Sequence, residues 1–209
     1  MNISGEQPKC GSSDQPRPPG PEYPVQTITD AKALSAMANP FRSRMLDVLY
    51  VDGPSTASGL AQRTGQAVGS VSHHLKVLSA AGLIEEAPEL AKDRRERWWR
   101  LIAPGTRWSR TEFANDPGAV TAALAAESLS LHRQNQRARD WLANAGTAGE
   151  WDSAAFSTQT WAKMTPAELQ ELSQELIVLI QKWRFRDIPN DGQERESVYI
   201  YAHGFPAQP

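Results

Sequence analysis

The chain has 209 residues, 40% of them hydrophobic and 22% charged, and a formal net charge of −2, enough to build two modest domains with buried cores. No apolar run approaches the about 18 residues of a membrane helix, and the N-terminus lacks the basic-then-hydrophobic layout of a secretory signal; no membrane partner and a cytoplasmic location are expected. One cysteine, Cys10, supports neither an intramolecular disulfide framework nor a thiolate cluster for a soft metal.

The small total charge conceals an asymmetry. Residues 40–110 carry 11 Lys/Arg against 7 Asp/Glu, whereas residues 111–209 carry 8 against 13. A polyanionic partner is expected for the middle of the chain only.

Residues 1–28 hold six prolines between Pro8 and Pro24 and few apolar side chains, a composition that cannot repay its ordering entropy and predicts a disordered arm. Order is expected from Thr29 or Asp30, either an N-cap, with Ala33, Leu34, Met37 and Ala38 at helical spacing. Asn39 caps a second helix with Pro40 at its first position and Phe41, Met45 and Leu49 on one face, closed by Asp52-Gly53-Pro54. A short third helix opens at Ser55 or Thr56, buries Ala57, Leu60 and Ala61, and stops at Gly65. A fourth, over about 67–81, places Val68, Val71, Leu75 and Leu78 toward the core and turns Gln66, Ser70, His73 and Lys76 outward. Leu83-Ile84 and Trp98 to Ile102 flank the charged stretch Lys92 to Arg97 and read as a hairpin with a basic tip, one of Trp98 and Trp99 packing beneath it.

Two helices joined by a short Gly-containing turn, the second exposing small polar and basic groups, fit the major groove of double-stranded DNA. Gln66, Ser70 and His73 can both donate and accept, which suits base edges. Ser72, Lys76, Lys92, Arg94 and Arg95 suit phosphates, which position a protein without reading sequence. A solvated hairpin is the bland alternative for the wing. His73 and His74 are adjacent on a helix and point about 100° apart, so they do not converge on a metal.

The run Ser72-His73-His74-Leu75-Lys76-Val77-Leu78-Ser79-Ala80-Ala81-Gly82-Leu83-Ile84 resembles the S-x-H-L-x-x-L-x-x-A-G-L-[IV] signature of the ArsR family. Ala33-Leu34 through Asn39-Pro40-Phe41-Arg42, with Leu46 and Leu49, resembles the same family's first two helices, so that the likeness covers about residues 29–103. It implies a winged helix, a homodimer paired through the first helix and a later one, and repression relieved by a signal. Two departures stand out. Ala67-Val68 replaces the Ser-Pro with which many members begin the recognition helix, and Gly69 leaves a gap where others present a side chain. Metal-sensing members carry ligands before the recognition helix or after the wing. Here the first region reads Ala57-Ser58-Gly59-Leu60-Ala61-Gln62 and the second offers only His132. The signal is therefore expected to be non-metal, with no cofactor or metal site, a small-molecule effector being the open question.

In the second half Thr106 to Phe113 alternates, and Asp116-Pro117-Gly118 opens a long helix to about Asn144 with Val120, Leu124, Leu131, Ala138 and Leu142 along one face. Residues 154–163 and Ser197 to Ala202 read as strands. Thr165-Pro166-Ala167-Glu168 is a capping box ahead of Leu169, Leu172, Leu176, Leu179, Ile180 and Trp183. Trp141, Trp151, Trp161 and Trp183 are expected to be core rather than to line an aromatic pocket.

The expected fold is mainly α with small sheets: a winged helix-turn-helix over 29–104, then a smaller α+β domain over 105–209 for dimerisation or effector binding. No Gly-rich phosphate loop, His-Glu metal motif or nucleophile elbow is present, so no enzyme is expected. The competing readings are a winged helix used for protein contacts and a metal-responsive repressor.

Overall fold

The computed structural model describes residues 25–93, 95–108 and 113–208. The fold is mainly helical with two small sheets. Its first element, strand β1 (Gln26–Thr27), lies inside the stretch expected to be an arm; the rest of that stretch up to residue 24 lies outside the described residues. β1 is ordered because its backbone and side chain both find partners. The Gln26 amide donates to Gly105 O at 2.9 Å, its side-chain amide donates to Gly82 O at 2.9 Å, and the next residue, Ile28, is buried.

Helix α1 (Ala31–Met37) starts where Asp30 accepts from the Lys32 amide at 2.8 Å. Helix α2 (Pro40–Asp52) starts where Asn39 accepts from the Phe41 and Arg42 amides at 3.1 and 3.0 Å, which satisfies two of the donors a helix start leaves free. After α2 come strand β2 (Ser55–Thr56), helices α3 (Ala57–Thr64) and α4 (Val68–Ala80), and strands β3 (Ile84–Glu86) and β4 (Trp98–Leu101). β4 is the centre of an antiparallel sheet, pairing Ile84 with Leu101 on one side and Ser55 with Trp99 on the other. Strand β5 (Thr106–Arg107) pairs in parallel with β1. The alternation expected up to Phe113 is thus realised as two paired residues, and Ser109 to Glu112 lie outside the described residues.

The core is one cluster under the helix-turn-helix, built from Leu34, Met45, Leu60, Val71, Leu75, Leu78 and Ile84. Trp99 is buried in it while Trp98 is half-buried, as the strand alternation requires.

Helix α5 (Pro117–Ala143) packs on α1, and of the expected stripe Val120 packs against the core while the leucines do not. Its buried residues are Ala119, Ala123 and Ala126, opposite Ala33, Leu34 and Ala36 of α1. Small side chains on both helices let the backbones approach closely, and that contact turns Leu124, Leu131 and Leu142 to the solvent. Farther along, Asp47 of α2 accepts from Arg133 and Arg137, tying α2 to the middle of α5.

The last helices are α6 (Trp151–Ala154) and α7 (Pro166–Arg184). The capping box of α7 is formed, Thr165 and Glu168 each bonding the other's backbone. Neither strand expected in this half forms. Residues 154–163 and Ser197 to Ala202 have strand-like side chains but no neighbouring strand to complete a ladder, and propensity alone does not make a sheet. The four tryptophans expected in a core are not buried either; Trp161 is 70% exposed and Trp183 58%.

Candidate nucleic-acid interface

The turn between α3 and α4 is built by three local features. The Thr56 hydroxyl accepts from the Gly59 amide at 3.1 Å and starts α3. Gly65 at φ +67° ends it, in the left-handed region that costs glycine nothing, and the Gln66 amide donates back to Ala61 O at 3.0 Å. The chain is thereby re-aimed within three residues into α4.

α4 buries Val71, Leu75 and Leu78 and exposes Ser70, His73 and Lys76; Ser72 is half-buried, and Gln66 is exposed in the turn. Val68 departs from the expected core stripe, being 46% exposed. The reason is geometric: residues 65–70 are all exposed, and a side chain at Gly69 would meet nothing within 4 Å, so the first turn of α4 stands clear of the helices behind it. That turn has no side-chain cap, since Ala67 occupies the N-cap position. Ala67→Ser is expected to stabilise the fold by about 1 kcal/mol, seen as a raised midpoint in urea denaturation at unchanged slope.

The wing is shaped by its acids. Asp93 accepts from the Arg95 and Glu96 amides at 2.7 and 3.1 Å, and Glu96 accepts from the Lys92 amide at 2.9 Å, closing the tip. On the strands and just below them, Arg97 pairs with Glu86 at 3.3 Å, and Arg100 pairs with Glu85 at 2.7 Å and with Glu89. Much of the basic charge is thus matched locally. The exposed Lys92 and Arg95 side chains take part in no such pair among the described residues, and Arg94 lies outside those residues.

Ser72, Lys76 and Arg95 come together along one groove of about 610 Å³, between the start of α3, the flank of α4 and the wing. Thr56, Ser58 and Arg97 line the same groove. Sequence spacing alone did not single these out, because it does not show that the start of α3 lies beside the wing; pairing of β2 with β4 brings it there. Gln66, Ser70 and His73 lie outside this groove, in the turn and on the exposed face of α4.

His74 faces the other way from His73. Its ring meets Phe41 edge-on at 4.9 Å and His73 at 5.3 Å, and its Nδ1 is buried without a hydrogen-bond partner. Burial first, then the nearby Arg42 and His73, holds its pKa below the ordinary 6.5. Between 6.5 and the lowered value the unfolded chain binds more protons than the folded one, so stability falls as pH drops through that window. The melting temperature is expected to fall from about pH 7.5 to about pH 5.5, and His74→Gln to flatten that fall; an unchanged slope in the variant would assign the acid sensitivity elsewhere.

Among the described residues no helix is long and apolar enough to cross a membrane, and no three His, Cys, Asp or Glu side chains are grouped to hold a metal.

A family model described as a helix-turn-helix domain matches residues 37–87. Among solved structures the chain is similar to NolR from Sinorhizobium fredii, at 31% identity over 36% of this chain and 70% of that one, with a TM-score of 0.31. It is also similar to an ArsR family transcriptional regulator, RHA00566, at 27% identity over 48% and 88% of the two chains, TM-score 0.29. A third similarity is to the homodimeric winged helix-turn-helix DNA-binding domain of Mb0332 from Mycobacterium bovis, a possible ArsR-family regulator, at 21% identity over 56% and 82%, TM-score 0.32. No curated protein matches. With α3, its glycine turn and α4 followed at once by the β3–β4 hairpin, residues 37–87 form a helix-turn-helix domain with a wing beside it, the build of DNA-binding regulators of transcription.

Proposed function

We propose that this protein is a homodimeric repressor that sits on its operator through α4 and the wing and is released by a non-metal signal. The observation that carries the reading is the two-faced recognition helix: Val71, Leu75 and Leu78 fix α4 to the core while its first turn and outer face stand free. A helix held in that way presents its N-terminal residues to a major groove.

In this reading Gln66, Ser70 and His73 reach base edges, where each can act as donor or acceptor. Val68, exposed beside them, adds an apolar surface suited to a thymine methyl. Ser72, Lys76, Lys92, Arg94 and Arg95 hold the phosphates, and the lining of one groove by Ser72, Lys76 and Arg95 supports a single backbone track between α4 and wing. Two copies read two half-sites one helical turn apart. The arm over 1–28, the winged helix over 29–104 and the rest as a dimerisation or effector domain is the division this function calls for.

Transcription in vitro from the promoter beside its own gene tests the regulatory sign. Added protein is expected to lower the transcript, and Ser70→Ala or His73→Ala to change which operator variants respond. A rise in transcript would make it an activator. A response to operator changes identical to that of the unaltered chain would remove Ser70 and His73 from base readout.

A further inference from the structure

The second half of the chain has almost no core of its own. Beyond Ala126 the one buried residue among those described is Gln181, while 19 large apolar side chains between Trp141 and Phe205 are exposed.

The most regular part of this surface is on α7. Leu169, Leu172, Leu176, Leu179 and Trp183 follow one another at intervals of three, four, three and four, and the last four of them are exposed. This is the alternation of a coiled-coil seam, which takes a single helix as partner. Most of the stability of a helix such as α7, 19 residues long, comes from packing of its apolar face. Its own chain holds it near its end, where Gln181 is buried and Arg184 donates to Pro104 O at 2.6 Å and lies 3.4 Å over the Tyr50 ring, and at its start, where Gly204 lies beside Leu169.

The charges say which helix fits. Glu168, Glu171 and Glu175 lie on the first half of α7, and Lys182, Arg184 and Arg186 at or just past its end. An antiparallel copy of the same helix sets each acidic half beside a basic end, whereas a parallel copy sets like against like. The first 24 residues of the chain cannot fill the seam, because Met1, Ile3 and Tyr23 are their only large apolar side chains. A nucleic acid is disfavoured by the excess of acids over residues 111–209.

We infer that α7 is a second dimer contact, pairing antiparallel with α7 of a second copy through Leu172, Leu176, Leu179 and Trp183. It deepens the homodimer reading above and rests on it. The contact joins the exposed leucines of α5 in making the second half of the chain a shared core rather than a separate domain.

Cross-linking in the full chain tests it. In a Cys10→Ser background, Leu172→Cys and Trp183→Cys are made singly. In an antiparallel seam of these four residues position 172 of one copy faces 183 of the other, so under oxidising conditions a mixture of the two variants is expected to form the disulfide dimer, and each variant alone not to. Cross-linking of each variant with itself would overturn the antiparallel pairing, and no cross-link in any combination would overturn the contact. Sedimentation of Leu176→Glu/Leu179→Glu adds the energetic readout: the dimer dissociation constant is expected to rise at least about tenfold. If that variant stays as tightly dimeric as the unaltered chain, the α7 contact fails while the homodimer stands. If the unaltered chain is itself monomeric at micromolar concentration, the homodimer reading fails with it.

Discussion

Replacing Lys76 or Arg95 by alanine is expected to weaken binding to every duplex alike, each by roughly tenfold at moderate salt, the loss of one charge-assisted contact to phosphate. Each change should also reduce the steepness of the salt dependence by about 0.9 in the log–log slope, since one fewer counterion is released. Both side chains are exposed on the groove between α4 and the wing, so neither change should disturb folding. Arg97→Ala lies in the same groove, but its guanidinium already meets Glu86 at 3.3 Å. Its effect on the slope should be smaller, which makes it the internal control. Equilibrium titrations at several salt concentrations measure all three. A slope unchanged by Lys76→Ala or Arg95→Ala would take that residue off the phosphate track.

The second large effect concerns folding rather than contact. Leu75 sits on the inner face of α4 with 1% of its surface exposed. Leu75→Ala removes buried methyl groups and leaves a cavity, with an expected loss of about 2–5 kcal/mol by the range typical of such sites, against a total stability of about 5–15 kcal/mol for a domain. Val68 was grouped with it by periodicity alone. Because Val68 is exposed, Val68→Ala should change stability by about 0.5 kcal/mol or less. It should act on operator preference if it touches a thymine methyl. Urea denaturation of the two variants side by side separates them; equal losses would return Val68 to the core.

The helices were legible because their signals are local. Asn39-Pro40 at the start of α2, Gly65 at the end of α3 and the Thr165–Glu168 capping box each act over three or four residues, and the structure realises each one. What the sequence did not disclose depends on residues far apart. β1 exists because Gln26 meets Gly105 and Gly82. α5 turns its alanines inward because α1 offers a surface of Ala33 and Ala36. The strand-like run from Ser197 to Ala202 lacks a neighbour to pair with. The same limit applied at the interface. Gln66, Ser70, His73 and Lys76 follow from helical periodicity, whereas Thr56 and Ser58 join the groove only through the pairing of β2 with β4. The basic wing, read as a run of positive charge, turns out to be partly neutralised by Glu85, Glu86 and Glu89 across the hairpin.

Whether the winged helix reads a particular DNA site is decided by fluorescence anisotropy. The full chain is titrated into a labelled duplex from the promoter beside its own gene and into an unrelated duplex, from about 50 to about 200 mM salt. Tight, salt-steep binding that favours the promoter by roughly a thousandfold or more is expected. Weak binding that is indifferent to sequence would contradict site-specific reading.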